Sequence, residues 1–286
     1  MVENVLVNNK ILNVKPMYIF FLFLLLSGIT FICPADTTYF LHRSGNRPFG
    51  ITFDNKGLMY IVTAPESGNG MLSKVTPDGK ITDIAVIEGN FIGPGISIDN
   101  EGNILITAGN RLLKFSPDGK SSLIADGFSR CFDVKADKNN NMYVADDLQN
   151  TIYKITTDGK KSIFYKGDTA GSFILTGLVL DKNNENLYAR EGNKVLKFSL
   201  KTDSNINKPV AIINNTKMFY LCLGNDDKLY VSSVENVIQI ESDGQRHNLS
   251  SKPLKTSLGI AVGGNGFDKG SIYVAVEDGI VILPIK

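Results

Sequence analysis

From about residue 36 onward, short apolar runs alternate with clusters of Asp, Asn, Gly and Pro. Pro48–Phe53 is a strand candidate that stops at the turn sequence Asp54-Asn55-Lys56-Gly57. Leu58–Thr63 is rich in β-branched and aromatic residues and predicts a second strand. Leu72–Thr76 predicts a third, with Leu72, Lys74 and Thr76 on one side and Ser73 and Val75 on the other. Pro77-Asp78-Gly79 supplies a turn, because proline presets φ at one central position and glycine accepts φ > 0 at another. Ile81–Ile87 predicts a fourth strand.

The unit repeats. Asp78-Gly79, Asp118-Gly119 and Asp158-Gly159 recur every 40 residues, each followed by Lys, and the signal returns at Asp203 and Asp243-Gly244. Four short strands in about 40 residues make one propeller blade. The units align on a first-strand glycine and an aspartate four residues later. That column reads Gly50, Gly95, Asp133, Gly177, Cys222 and Gly259. A second-strand column reads Tyr60, Leu105, Tyr143, Tyr188, Tyr230 and Tyr273. The expected fold is therefore an all-β, six-bladed propeller with four-stranded blades. The last unit has strands at Leu258–Val262, Ser271–Val276 and Gly279–Pro284 and then runs out of chain, while Thr37–His42 is a spare strand before the first unit. Joining the two closes the ring and removes an unpaired edge. Lys201–Lys208 reads as a loop insert, and no stretch after residue 35 reads as a helix.

Residues 1–35 differ in kind. Pro16–Cys33 is an uncharged apolar run preceded by Lys10 and Lys15 and followed by Ala35, the pattern of a secretory signal. Its length of about 18 residues also meets the lower limit for a membrane anchor. In either case the expected domains are residues 1–35 as signal or anchor and 36–286 as an extracytoplasmic propeller, a monomer touching membrane only through the N-terminal segment.

The net charge of +1 provides no basic face for nucleic acid. Cys33, Cys131 and Cys222 are too few and too widely spaced for a disulfide framework. His42 and His247 are the only histidines, and neither falls in a channel column, so neither a Ser-His-Asp arrangement nor a histidine-rich zinc site is expected.

The pattern Pro-x-Gly-Ile-x-x-Asp-x-x-Gly-x-x-Tyr-Val, followed by Ile-x-Lys-x-x-x-Asp-Gly, resembles NHL-repeat propellers and the six-bladed group of gluconolactonase, regucalcin and strictosidine-synthase-like proteins. Asp133–Lys160 carries the closest likeness. The lactonase resemblance implies a divalent metal, often Ca²⁺, held by a Glu at the start of the first blade, two Asn in middle blades and an Asp after a second strand. Here Arg47-Pro48-Phe49 stands at the place of that Glu, and the Asp maps to Asp146.

A site is expected where the repeat breaks. Asp133 interrupts the glycine column, and Asp146 and Glu191 are the acids in the column three residues after the second-strand aromatic. Together they could form a carboxylate cluster suited to Ca²⁺ or to a general base. Arg47, Arg130 and Arg190 lie beside them in sequence and provide the alternative, structural ion pairs or a ligand-binding face. The expected function is a module binding a small molecule or protein at the channel face. The alternative is a calcium-dependent gluconolactonase-like hydrolase of small esters or lactones.

Overall fold

The computed structural model describes residues 3–7, 10–14, 38–42, 47–64, 68–89, 95–168, 175–201, 209–213, 219–233, 235–241, 245–250, 253–254 and 258–285. The chain divides into two units, Met1–Asp36 and Thr37–Lys286. In the first, Glu3–Val7 and Lys10–Val14 pair as an antiparallel hairpin. The apolar run Pro16–Cys33, Asp203, most of the Lys201–Lys208 insert and Asp243-Gly244 lie outside the described residues.

The second unit is a six-bladed propeller of four-stranded antiparallel sheets. Blade 1 consists of Arg47–Phe53, Met59–Ala64, Gly70–Val75 and Ile81–Ile87. The inner strands of blades 2 to 6 are Ile96–Ile98, Cys131–Ala136, Leu175–Leu180, Leu221–Leu223 and Ile260–Val262. Thr38–His42 pairs with Gly279–Pro284 as the outer strand of blade 6, so the two ends of this unit share one sheet. No helix long and apolar enough to cross a membrane occurs among the described residues.

Second strands are buried on both faces, as expected for strands sandwiched between neighbouring blades; Met59–Ala64, Ile104–Ala108 and Ser271–Val276 are buried throughout. Tyr60, Tyr143 and Tyr230 are among the largest fully buried side chains. Each hydroxyl donates to an aspartate of its blade's first turn, Asp54, Asp137 or Asp226. Burial, together with that aspartate, pushes the Tyr60 phenol up to about 12.

The turn after each inner strand has a residue at positive φ in the same place: Gly57, Gly102, Asn140, Asn184, Asp227 and Gly266. These positions align all six blades by backbone rather than by residue type, and they correct the sequence alignment of blade 5. Gly224, not Asp226, opens the turn there, donating to Lys228 O as Asp54 donates to Leu58 O. The glycine column in blade 5 is therefore held by Tyr220, whose carbonyl accepts from Ser232 N, and Cys222 lies two residues further along. Asp226 still reaches the Tyr230 hydroxyl at 2.9 Å from inside the turn. A displaced aspartate doing the same job is what misaligned the motif.

The glycine column has a packing cause. A Cβ on Gly177 would lie 3.2 Å from Tyr220 Cα, and one on Gly259 would lie 2.2 Å from Phe49 O. Inner strands of adjacent blades come together there, so that only hydrogen fits at Gly95 and Gly259 and a Cβ at Gly177 would be tight. Just before this column the inner strands of blades 1, 3 and 4 carry a register shift, at Pro48/Gly50, Cys131/Asp133 and Leu175/Gly177. Such bulges re-aim side chains at the rim of a channel.

Candidate functional site

The inner strands enclose an axial cavity of about 350 Å³. It is lined from the glycine column onward, by residues such as Thr52, Phe53, Ser97, Lys135 and Val262, and so lies toward the end that carries the first turns. Asp133 and Lys135 are the two charged residues in this lining. They lie two apart on one strand and hence on the same face.

Asp133 is buried. Its Oδ1 accepts from Lys135 Nζ at 2.8 Å and from Val134 N at 2.8 Å, and its Oδ2 accepts from Leu178 N of blade 4 at 2.8 Å. Lys135 Nζ also donates to Val134 O at 3.0 Å. Burial pushes the Asp133 carboxyl up from its ordinary value, against the pull of Lys135 and the two backbone donors. The pair is thus a compensated charge couple at the cavity wall, with one Asp133 side chain bridging two blades.

Tyr220 faces this couple from blade 5. Its ring lies 5.7 Å from that of Phe132 of blade 3, and it lines the cavity. Its hydroxyl is buried and has no hydrogen-bond partner among the described residues. Burial, with the nearby carboxylates of Asp133 and Asp147, raises its pKa far above that of an ordinary phenol.

The other predicted residues lie at second-strand ends or inner-strand starts, the opposite end of the blades from the cavity. Asp146 is fully buried and accepts from three backbone donors, Ser129 N at 2.7 Å, Arg130 N at 3.2 Å and Gln149 N at 3.3 Å. Arg130 uses its side chain elsewhere, forming a bidentate pair with Asp147 in which Nε lies 2.7 Å from Oδ1. Glu191 accepts at Oε1 from Asn150 Nδ2 at 2.8 Å and Tyr165 Oη at 2.9 Å, linking blades 3 and 4. Arg190 Nη1 donates to Thr176 Oγ1 at 3.1 Å, and burial lowers its pKa to about 10. The Arg47 guanidinium stands 5.6 Å from the centre of the Phe49 ring.

No protein-family sequence model and no curated protein sequence matches the chain. Solved structures do match in shape. A gluconolactonase from Xanthomonas campestris has a TM-score of 0.70 at 13% identity, over 85% of this chain and 87% of its own. A luciferin-regenerating enzyme has a TM-score of 0.67 at 14% identity, over 87% of this chain and 94% of its own. A virginiamycin B lyase from Staphylococcus aureus, solved with quinupristin, has a TM-score of 0.63 at 18% identity, over 88% and 99%. The chain has the fold of the gluconolactonase-like six-bladed propellers.

Calcium binding within this gluconolactonase-like fold requires several oxygen ligands converging on one point. Asp133, Asp146 and Glu191 do not converge: each is committed to its own donors, and among the described residues no group of three His, Cys, Asp or Glu is placed to hold a metal. Among the described residues, these three acids do not form a shared calcium site. The nearest thing to a reactive couple is Asp133 with Lys135. Lys135 was legible in the sequence as the one charged member of the column Thr52, Ser97, Lys135, Val179, Cys222 and Ala261, two residues past the glycine. Tyr220 was hidden by the displaced aspartate of blade 5.

Proposed function

We propose that the chain is a small-molecule hydrolase of the gluconolactonase-like kind, taking a small ester or lactone into the axial cavity. The observation that carries this reading is the Asp133–Lys135 couple in the cavity wall, its carboxylate buried and its ammonium part-exposed. Oδ2 of Asp133 has one donor, Leu178 N, and so retains a lone pair for a water proton. The raised carboxyl pKa makes that oxygen a better base than an exposed aspartate. The ammonium of Lys135 directs two of its hydrogens to Asp133 and Val134 O and has a third for the substrate carbonyl, where negative charge develops as water adds. The gluconolactonase-like shape supports the reaction class.

A second reading, a binding module without turnover, is favoured by the saturation of Asp133 Oδ1, which already accepts two hydrogen bonds. A panel of lactones and aryl esters, assayed with wild type, Asp133→Asn and Lys135→Met, separates the two. Turnover lost in both variants supports the hydrolase; ligand-induced thermal shifts without turnover support the module. The apolar run Pro16–Cys33 supports export or anchoring of the propeller, and N-terminal sequencing of the mature protein tests it: a start near Asp36 means cleavage, an intact N-terminus means an anchor.

A further inference from the structure

We propose that the pocket between blades 2 and 3, away from the axial cavity, is a binding site for a neutral phenol, whose ring takes the place of a tyrosine that blade 2 lacks. The proposal is independent of what the axial cavity takes.

The space arises from a break in the repeat. The second-strand column is tyrosine in every blade except blade 2, where Leu105 stands. The tyrosine packs toward the next blade. Tyr60 joins a cluster with Ile96 and Ile104 of blade 2, and Tyr143 joins one with Leu178 and Leu187 of blade 4. Leu105 faces blade 3 in the same way, among Cys131, Val134 and Val144. Leucine does not reach as far as tyrosine, and a pocket of about 170 Å³ lies beyond it, with Ile124 of blade 2 and Met142 and Gly159 of blade 3 in its walls. A Cβ added at Gly159 would meet nothing within 4 Å. An apolar cavity of about 150 Å³ is enough for a benzene ring.

The groups that serve the tyrosine elsewhere are still in place. In blade 3, Asp137 Oδ2 accepts from Asn141 Nδ2 at 2.9 Å and from the Tyr143 hydroxyl at 3.5 Å. In blade 2, Asp99 lines the pocket, and its Oδ1 is taken by the turn donors Glu101 N and Asn103 N. Its Oδ2 accepts from Asn103 Nδ2 at 2.9 Å and has no hydroxyl as second donor, so a lone pair is open. The residue directly opposite this column on the third strand is lysine in blades 1 to 4: Lys74, Lys114, Lys154 and Lys197. Lys154 Nζ lies 5.9 Å from the centre of the Tyr143 ring and Lys197 Nζ 5.5 Å from that of Tyr188, within the range of a cation–π contact. Lys114 lines the pocket opposite Leu105 and so has no ring in that place. A bound phenol meets all three features: apolar walls for the ring, an ammonium for its face and a carboxylate oxygen for its O–H. A phenolate would be opposed by Asp99 and Glu101 in the same lining, which selects the neutral form.

Amide NMR of the protein, titrated with 4-methylphenol, tests this, with toluene as the ring without a hydroxyl and N-acetyltyrosinamide as the phenol carried on a tyrosyl side chain. 4-Methylphenol is expected to shift the amides of Leu105, Ile124 and Gly159 with a dissociation constant of about 1 mM, and no shift there at about ten times that concentration overturns the site. Toluene is expected to bind at least about fivefold more weakly, and equal binding overturns the contact with Asp99. Lys114→Met is expected to weaken 4-methylphenol by about two- to fivefold, and unchanged affinity overturns the ammonium contact. Leu105→Tyr restores the missing side chain, so it should abolish the response to 4-methylphenol while its melting temperature holds or rises. Undiminished binding in that variant overturns the claim that the ligand occupies the tyrosine's place. Should that variant not fold, toluene on wild type and 4-methylphenol on Lys114→Met decide. Either order of affinity between 4-methylphenol and N-acetyltyrosinamide supports the site, and the tighter of the two identifies the source as a free phenol or a tyrosyl group.

Discussion

Gly95 of blade 2 and Asp133 of blade 3 are packed so closely at the axis that a Cβ on Gly95 would fall 2.3 Å from Cα of Asp133 and 2.5 Å from its Oδ1. The obstruction is backbone, which cannot swing aside, so Gly95→Ala must push blades 2 and 3 apart or displace the Asp133 carboxylate. Overpacking of this kind costs about 1–3 kcal/mol, and disturbing the hydrogen bonds of the buried Asp133 carboxylate adds to it. Gly159 is a useful contrast: it sits at φ 84°, and a Cβ added there would meet nothing within 4 Å. Gly159→Ala carries only the left-handed backbone cost, about 1–2 kcal/mol. Urea unfolding of the two variants should rank Gly95→Ala as clearly the less stable, and any ligand affinity of the cavity should fall only in Gly95→Ala.

The Asp133–Lys135 couple sets a second expectation. Removing Lys135 leaves a buried carboxylate with two backbone donors, so Lys135→Met should destabilise by about 1–3 kcal/mol at neutral pH, less than for a wholly buried pair because the ammonium is part-exposed. Adding Asp133→Asn should recover some of that loss, because the stranded charge is gone. The pH dependence has a definite sign. The folded-state pKa of Asp133 is raised, so the folded protein holds its proton more firmly than the unfolded chain. The stability this contributes is fully present below the unfolded value of about 3.9 and is lost as pH rises through the raised folded value. Wild-type stability measured relative to Asp133→Asn should therefore decline with rising pH across that interval. A flat difference from acid to neutral pH would contradict the raised pKa.

The blade count, the four-strand unit and the closing strand were legible because turns repeat by backbone conformation, and Gly, Asn and Asp report that conformation directly. Where the residue at positive φ was itself Asp227 and the aspartate that meets the tyrosine had moved to Asp226, residue matching slipped by two and hid Tyr220. The site was read less well for a different reason. Sequence columns place acids at a height along the channel, but they do not say which donors satisfy them. Asp146 and Glu191 share a column and still face separate partners, three backbone N–H groups for one and Asn150 with Tyr165 for the other. Arg130 adjoins Asp146 through its backbone while its guanidinium takes Asp147.

Asp146 is accordingly expected to behave as a structural acceptor. Asp146→Ala leaves the backbone donors of Ser129, Arg130 and Gln149 without their carboxylate, and a loss of about 3 kcal/mol or more is expected from unsatisfied buried groups. Calcium at millimolar concentration, or a chelator, should leave the melting temperature of wild type unchanged, since a metal bound to the native state would raise it by mass action. A calcium-dependent rise that disappears in Asp146→Ala would instead make Asp146 a ligand.

Closure of the ring rests on a strand that is distant in sequence from its sheet. Thr38–His42 pairs with Gly279–Pro284, and Tyr39 Oη donates to Asp278 Oδ1 at 2.9 Å. Phe40 anchors it, meeting Phe267 and Tyr273 edge-on at centroid distances of 5.7 and 5.6 Å. Without this strand, Gly279–Pro284 becomes an unpaired outer edge and a hydrophobic cluster spanning blades 6 and 1 loses Phe40 and Leu41. A chain beginning at Asp36 should therefore match the melting temperature of the full propeller, whereas one beginning at Arg47 should melt lower and self-associate through the open edge. Phe40→Ala in the longer chain isolates the aromatic anchor from the backbone pairing. It should cost about 2–3 kcal/mol, below the range for a wholly buried phenylalanine because Phe40 is only half-buried. Equal melting temperatures for the chains starting at Asp36 and Arg47, by calorimetry at matched concentration, would mean that the blades hold together without the closing strand.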